Sequence, residues 1–581
     1  MSLRGRHTYT ATLQPGGHVL GKVGGEVGID DGWAPHVQAT LQVPIPEDPA
    51  IQELLDPRQV RRVVLTAASE FAPWNANAPA PTAASWDLGL RDRDLDHKPG
   101  SITLKLASDE ALLMDYRYLG TTPDLSALAY QSSLRAIINS VLARIGAALQ
   151  PGTADAPFRV LTNSVNLCTN PSFSNNTTDW NSYTPSGTAA FTRVTATGAV
   201  GGTHGRVTWS AAASGTGGGA YFEAAPGSFT AGKKYRVNVA AKTARAGQKV
   251  RLAFEWKNSA GAIIATSTSP SVGSLSAWTW LEFVATAPAE ATRGAVTIYG
   301  APDGVAWASG NTLDVDGMRL SETSKDYTDT AYFDGSNTAS TDYAYAWTGA
   351  QFNSTSTRTA LVDRSPDLLD WAPGESAWEF IQPLFQAAGL RLYCDEARRW
   401  FLVNGETYLE PGSLQLAVPT NLVQASERIT RDSVDWFDAA LVRYRWRDST
   451  GATQEAIDWY AEPGYSKSIT LLVERPYPGP GFAQYMVRRA RGKGRTLSLE
   501  ATSRYTVRPS QPITVALPST PLQTGLVARV AWSLDQDRMR VETRGLVDTP
   551  AGAWLLANPS LTWAAAPAAV TWAAWNNPGG I

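Results

Sequence analysis

Apolar and polar residues alternate along most of the chain, in short runs separated by glycine, proline and aspartate. Residues 37–45 (VQATLQVPI) and 101–108 (SITLKLAS) are typical of the first 120 positions. A period of two places successive side chains on opposite faces of an extended strand. The first part of the chain is therefore predicted to be rich in β-strands.

A period of three to four residues interrupts this pattern in two places. Residues 124–150 place leucine, isoleucine and valine three or four positions apart, which predicts an amphipathic helix with Asp124 as its N-cap and Pro151 as its stop. Residues 376–389 predict a shorter helix that ends at Gly389. An apolar hairpin is expected directly after the second helix.

The composition changes at about residue 165 and changes back at about residue 360. Between these positions charged residues become fewer, and serine, threonine, alanine and glycine separate short apolar runs. Short strands at this spacing predict an antiparallel β-sandwich. Domain insertion at an exposed loop is well tolerated, so we predict that residues 1–164 and 360–550 form one body into which 165–330 is inserted.

The last segment, residues 551–581, differs from the rest of the chain. It has no charged residue and contains Trp554, Trp563, Trp572 and Trp575. An exposed apolar segment of this kind is prone to aggregation unless it packs on another surface. We expect it to pack on another subunit or on its own body.

Composition and charge exclude several classes of protein. The chain has 581 residues, a net charge of −3, two cysteines and five histidines. The charge balance gives no basic surface for sequence-specific binding of nucleic acid. No apolar stretch approaches the about 18 residues of a membrane span, and the N-terminus has no secretion signal. Two distant cysteines cannot form a disulfide framework.

Motifs of catalysis are absent. The sequence contains no nucleophile elbow, no paired-histidine zinc motif and no phosphate-binding glycine loop. Pairs of carboxylates for glycoside hydrolysis need only meet in space, and no particular pair is indicated. The chain is therefore expected not to be an enzyme.

The strongest candidate binding residues follow from strand alternation in the sandwich. In WTWLEFVAT, Leu281 and Phe283 are predicted to face the core, so that Trp278, Trp280 and Glu282 face outward. An outward tryptophan can stack on a sugar ring while a neighbouring polar group binds hydroxyls. The alternative is that the two tryptophans only cover the edge of the sandwich.

Two further aromatic residues are candidates for the same surface. Tyr183 and Trp209 lie near predicted strand ends or loops. Trp256, by contrast, alternates with Leu252 and Phe254 and is predicted to lie in the core.

Residues 166–180 (NLCTNPSFSNNTTDW) and 313–322 (LDVDGMRLSE) resemble the first and last strands of jelly-roll carbohydrate-binding modules. The resemblance implies a structural calcium ion between these strands, with Asp316 and the backbone near Asn170 at the matching positions. The usual glutamate of the family is replaced by Ser174.

The sequence outside the sandwich resembles the baseplate-hub type of minor tail protein from phages of actinobacteria. Residues 331–359 are similar to a linker-like segment of such proteins. The other similar stretches are WDLGLRDRDLDHKPGSITLKLASDEALLMDY, WFDAALVRYRWRDSTG, RRARGKGRTLSLEATSRYTVRPSQPITVALP and RMRVETRGLVDTPAGAW.

This resemblance implies β-barrel hub domains with a few short helices, assembled as a trimer at the tail tip of a siphophage virion. It implies contacts with the distal tail protein, the tape measure protein and further minor tail proteins. The protein would be made in the host cytoplasm without a signal peptide. The inserted jelly roll would bind host cell-wall polysaccharide; the alternatives are a tail-associated carbohydrate-active enzyme and a cell-surface adhesin.

Overall fold

The computed structural model describes residues 5–21, 23–71, 82–97, 100–273, 275–323, 331–432, 434–448 and 451–549. It divides into two compact units. The first, here called the body, is Met1–Val160 with Arg364–Ile581, and the second is Leu161–Asp363. The fold class is the predicted one, mainly β with a few short helices and an antiparallel sandwich.

The strands are numbered in chain order. Those of the N-terminal part of the body are β1 Gly5–Gln14, β2 His18–Val19, β3 Gly24–Asp30, β4 Val37–Pro44, β5 Arg62–Phe71, β6 Thr82–Asp96 and β7 Ser101–Ala107. Those of the second unit are β8 Ser164–Asn166, β9 Trp180–Tyr183, β10 Thr188–Thr195, β11 Thr203–Ala211, β12 Gly219–Glu223, β13 Lys234–Lys242, β14 Lys249–Lys257, β15 Ile263–Thr268, β16 Val272–Gly273, β17 Thr279–Thr286, β18 Arg293–Gly300, β19 Thr312–Glu322, β20 Tyr343–Trp347 and β21 Ser356–Ala360. Those of the C-terminal part of the body are β22 Leu390–Cys394, β23 Trp400–Asn404, β24 Leu414–Ala417, β25 Leu422–Ile429, β26 Ala439–Arg447, β27 Thr453–Ala461, β28 Ser468–Val473, β29 Arg495–Thr502, β30 Pro512–Ala516, β31 Gln523–Ser533 and β32 Arg538–Asp548.

The helices of the described residues all lie in the body. They are α1 Pro49–Leu54, α2 Glu110–Asp115, α3 Leu134–Leu142, α4 Ala377–Ala387 and α5 Phe482–Arg491, with 3-10 helices at Ser126–Tyr130 and Ala143–Ile145. In this part of the chain no helix is long and apolar enough to cross a membrane.

The two parts of the body share one sheet and one core. A 13-stranded sheet runs in the order β2-β1-β5-β6-β7-β4-β3-β31-β32-β29-β25, with β30 beside β31 and β24 beside β30. The N-terminal and C-terminal parts of the body join where Ile29 of β3 pairs with Val530 of β31. Trp86 and Trp532 pack in the shared core with their ring centroids 5.3 Å apart.

The predicted helix over 124–150 is wrong in its extent. The Asp124 carboxylate accepts from Ser126 N–H in a local turn, and a new helix begins at α3, where the Ser133 hydroxyl accepts from Ala136 N–H. Gly146 ends the region with a φ of 70°. The Ser133 cap therefore separates the first 3-10 helix from α3, and the second 3-10 helix follows α3 directly.

The helix predicted over 376–389 is confirmed as α4. Ser376 and Glu379 form a reciprocal capping box, and Gly389 follows the helix with a φ of 70°. The expected hairpin follows as β22 and β23.

The second unit contains a sandwich of two antiparallel sheets. One sheet has five strands in the order β10-β11-β19-β13-β17, and the other has six, β15-β14-β18-β12-β9 with β16 beside β14. Their inner faces enclose one apolar cluster that includes Trp256, which is fully buried as predicted.

Residues 331–359, predicted to be a linker-like return to the body, belong to the second unit. Their strands β20 and β21 form a hairpin, and β21 pairs with β8. Asn166 donates its side-chain amide to the carbonyl of Phe333 (3.1 Å), and the Arg358 guanidinium lies 5.0 Å from the Phe333 ring centroid. The segment is thus part of a folded unit. Residues 551–581, predicted to be the Trp-rich segment, lie outside the described residues.

Candidate functional site

The outer face of the five-stranded sheet carries three of the candidate residues. In β17 Leu281 is buried and Trp280 is 48% exposed, which confirms the predicted alternation of faces. Glu282 lies on the same outward face as Trp280. The role of these residues in binding stays a prediction.

Trp280 lies against a glycine of the neighbouring part of the sheet. Gly317 has a φ of +63°, and a Cβ atom there would lie 2.8 Å from Cη2 of Trp280. Only glycine accommodates both this conformation and this close approach. The indole therefore packs on backbone with one side, and the Tyr332 ring lies nearby, with a centroid distance of 6.4 Å.

The polar groups around Trp280 are engaged with one another. Glu282 Oε1 lies 3.0 Å from Nε of the buried Arg236. Trp278 is half-buried, and its ring meets His204 edge to face at 5.4 Å. Burial lowers the pKa of His204. This face thus offers one half-exposed indole among residues that are already paired.

Tyr183 lies on the opposite sheet, in a row of four residues that the strand register aligns. Gly219 of β12 pairs with Tyr183 of β9 on one side and with Tyr299 of β18 on the other. Tyr299 in turn pairs with Arg251 of β14. The two tyrosine rings meet across this row, with centroids 6.0 Å apart, and a Cβ atom at Gly219 would lie 2.0 Å from the backbone oxygen of Ile298 in β18.

The next row of the same sheet adds a third tyrosine. Tyr221 pairs with Asn181 on β9 and with Thr297 on β18. Thr297 is buried, and its hydroxyl has no hydrogen-bond partner in the described part of the chain. We call Tyr183, Tyr221, Tyr299 and Arg251 the tyrosine platform.

Charged groups border the tyrosine platform. The Arg251 guanidinium lies 4.8 Å from the Tyr299 ring centroid, and burial raises the pKa of Tyr299. Along the sheet, Glu223 and Glu255 both pair with the small Ala295 between them. The platform therefore combines aromatic rings with hydrogen-bonding groups on four adjacent strands.

Trp209 is not part of either surface, contrary to the prediction. Its side chain is fully buried, and its ring stacks on Trp307 with a centroid distance of 4.0 Å. β11 turns this side chain toward the sandwich core, beside Val207. A ring enclosed in this way cannot stack on a sugar.

The residues predicted to hold calcium have other partners. The Asn170 side-chain amide donates to Asn176, and Asp316 accepts from the N–H groups of Val200 (2.7 Å) and Gly317 (2.8 Å). Burial raises the pKa of Asp316 to about 7, so its carboxylate is a weaker ligand for a cation. Ser174, at the position of the usual glutamate, bonds to Ser172 at 3.1 Å.

Among the described residues no group of three or more His, Cys, Asp or Glu is placed to hold a metal ion. A calcium ion held by Asp316 and the backbone near Asn170 stays a prediction.

Tyr183, Tyr221 and Tyr299 lie near predicted strand ends or loops and are weaker candidates from the sequence, and Arg251 is not among those candidates. The signal was available in the alternation of β14 and β18. Outward positions follow directly from the buried Leu252, Phe254, Val296 and Ile298. The register that brings separate tyrosines together across Gly219 is a tertiary property that alternation within one strand does not encode.

No protein-family model and no curated protein sequence matches the chain. Among solved structures, the 43 kDa tail protein of prophage MuSo2 from Shewanella oneidensis matches 92% of this chain and 98% of its own, at 9% identity and a TM-score of 0.37. The tail protein from Neisseria meningitidis MC58 matches 92% of this chain and 96% of its own, at 8% identity and a TM-score of 0.35.

A third structure matches a smaller part of the chain. It contains the CBM22-1 and GH10 modules of endo-1,4-beta-D-xylanase 10B from Clostridium thermocellum, complexed with xylohexaose. It matches 28% of this chain at 18% identity and a TM-score of 0.22, and this chain spans 29% of it.

Proposed function

We propose that the sandwich binds polysaccharide on the tyrosine platform. The observation that carries the proposal is the row Tyr183–Gly219–Tyr299–Arg251, in which two aromatic rings with centroids 6.0 Å apart lie beside a guanidinium that is 4.8 Å from the Tyr299 ring centroid. Aromatic rings stack on the C–H faces of sugars, and side chains such as Arg251 donate to hydroxyl groups.

Trp280 and Glu282, with Trp278 beside them, form a second and weaker contact in this proposal. Trp280 presents a half-exposed indole, but the nearest polar groups are paired, as in the ion pair of Glu282 with Arg236. A single ring buries little ligand. The two surfaces lie on opposite sheets, so each is expected to bind independently.

The test is co-sedimentation of the full chain with insoluble cell-wall polysaccharide from an actinobacterium. Tyr299→Ala removes a ring from the centre of the platform and should weaken retention about tenfold, which is about 1.4 kcal/mol. Tyr465→Ala is the matched control, because Tyr465 is 57% exposed in the body. Equal retention of both variants would refute the platform.

We propose further that the whole chain is a structural component of a phage tail tip, of the baseplate-hub type. The support is the set of sequence stretches similar to minor tail proteins of actinobacterial phages. The body also suits this role, because both of its ends share one sheet and the sandwich is inserted between Val160 and Arg364. In this assembly we expect a homotrimer that contacts the distal tail protein, the tape measure protein and further minor tail proteins.

Electron cryomicroscopy of the virion tests this part of the proposal. Three copies at the tail tip, with the sandwich at the outside, are expected. A protein absent from purified virions would contradict it.

We propose that the polysaccharide is bound without being cleaved. Glu223 and Glu255 lie on either side of Ala295, but both oxygens of Glu223 are bonded to Lys257 Nζ, at 2.6 and 2.8 Å. The alternative, a tail-associated carbohydrate-active enzyme, predicts new reducing ends during incubation with wall polysaccharide. Their appearance, and their loss in Glu255→Gln, would favour the enzyme.

A further inference from the structure

Within the described part of the chain, a three-stranded sheet of the body is covered on one side only. Its strands are ordered β27-β26-β28. Val442 and Tyr444 of β26 face helix α5 and pack with Ala483 and Val487 of that helix in one apolar cluster. This side of the sheet is a small core of its own.

The other side carries large apolar side chains in contact with solvent. Trp459 is 70% exposed, Ile457 is 54% exposed and Leu472 is 59% exposed. The register aligns Trp459 with Leu441, and it aligns both Ile457 and Leu472 with Arg443. These side chains therefore share one face, which we call the bare sheet face.

The edge of this sheet is also available for contact. Strand β28 (SITLLV) has no charged residue, and among the described strands it pairs only with β26. Natural proteins protect exposed edges with charges, proline or a covering segment. An apolar face beside an unprotected edge indicates a surface that is covered in the functional protein.

We propose that this surface is covered by residues 551–581 of the same chain. That segment has no charged residue and carries four tryptophans at positions 554, 563, 572 and 575. An uncharged segment brings no unpaired charge of its own into the contact. Arg443, in the centre of the face, is available for cation–π contact with an indole ring.

The position of Asp548, at the end of the last described strand, favours a contact within one molecule. Strand β32 ends at Asp548, whose carboxylate lies 2.9 Å from Arg495, and Arg495 pairs with Ile429 at the edge of the large sheet. Gly494 lies directly against the Trp436 ring. The ammonium group of Lys467, the residue before β28, lies 5.9 Å from the centroid of the same ring.

Exposed apolar side chains mark the same region. Ile429 is 71% exposed, and Val434, close to it in sequence, is 84% exposed. A segment that leaves the body after Asp548 therefore begins near the start of β28 and beside further apolar surface.

The test compares amide hydrogen exchange in the full chain and in a chain that ends at Thr549. Loss of the segment should speed exchange in β27 and β28 by about tenfold or more, because docked amides exchange only when they open. Exchange in β22, a buried strand of the body, should not change. Equal rates in β27 and β28 for the two proteins would overturn the proposal.

A variant of the full chain gives an independent readout. Trp459→Asp places a charge on the bare sheet face and should expose the segment, so that chymotrypsin cleaves it several times faster. Trp280→Asp is the matched control, an exposed tryptophan on a strand of the other unit, and should leave cleavage unchanged. Equal cleavage of the two variants would contradict the proposed contact.

A mixing experiment distinguishes docking of the segment within one molecule from docking between two molecules. Unlabelled full chain is added to isotope-labelled chain that ends at Thr549, and exchange is measured in the labelled protein. Unchanged exchange supports docking within one molecule. Protection of labelled β28 would show that a second copy supplies the segment, and would overturn the assignment to the same chain.

Discussion

The two outer faces of the sandwich have the same strand alternation but differ in what lies on them. On the five-stranded sheet, Asp316 and His204 are buried and Trp280 is the half-exposed aromatic residue. On the six-stranded sheet, small residues such as Gly219 separate half-buried tyrosines. One face is occupied by polar groups that bind each other, and the other presents rings in a row.

The difference shows that facing outward is not the same as being accessible. Asp316 faces outward by strand parity, yet its carboxylate accepts from Val200 of a loop folded over the sheet. On the other sheet, Tyr183 and Tyr299 are half-buried and lie across Gly219 with their ring centroids 6.0 Å apart. The predictions that follow test this contrast, from the largest expected effect to the smallest.

Trp209→Ala should lower the free energy of unfolding of the sandwich by about 3–5 kcal/mol, the usual result of removing a buried aromatic side chain. The stacked Trp307 would lose its partner at 4.0 Å. Chemical denaturation measures this effect. Trp280→Ala is the control and should cost less than about 1 kcal/mol, since half of that side chain is already in water. Similar losses in both variants would mean that Trp280 is a core residue.

Asp316 should make the free energy of unfolding of the sandwich depend on pH. Its pKa is raised by burial to about 7 in the folded protein, above the ordinary value of 3.8. The folded state then holds a proton that the unfolded state has released, so stability is highest below about pH 4 and falls as the pH rises to 7. The loss should be on the order of 2–4 kcal/mol.

Asp316→Asn cannot titrate and should remove most of this dependence. Unfolding free energies measured between pH 4 and pH 8 compare the two proteins. Parallel curves for wild type and variant would contradict the assignment to Asp316.

Arg251→Ala should weaken retention on wall polysaccharide about fivefold, or about 1 kcal/mol, because a guanidinium donor beside Tyr299 is lost. Arg293→Ala is the control, since Arg293 lies at the far end of β18, the strand that carries Tyr299. Retention assays with both variants measure the difference. A larger loss for Arg293→Ala would move the binding surface along the sheet.

Trp280→Ala should change retention least, by about twofold. A single indole beside an ion pair contributes only a fraction of a kcal/mol of binding. The same assay measures it. A tenfold loss would reverse the ranking of the two faces and restore Trp280 as the main site.

Much of the fold follows from the sequence, because local patterns decide it. Alternation identified Leu281 and Trp256 as core residues, and Gly389 marked the end of α4. The helix over 124–150 was predicted too long because an internal cap at Ser133 competes with the apolar period.

The candidate site was harder to predict, for a physical reason. The meeting of Tyr183 with Tyr299 depends on which strands are neighbours, whereas Trp209 follows the buried Val207 by the same alternation that identified Trp256. Strand order is set by packing of the whole sandwich. A single run of residues contains no record of it.

The most direct test of the tyrosine platform is a map of amide protection by bound glycan. Hydrogen exchange of the full chain is measured with and without soluble wall polysaccharide at saturating concentration. We predict that protection falls on β12 and β18, around Gly219 and Tyr299, with little change in β17. Protection confined to β17, around Trp280, or no protection anywhere in the sandwich, would contradict the proposal.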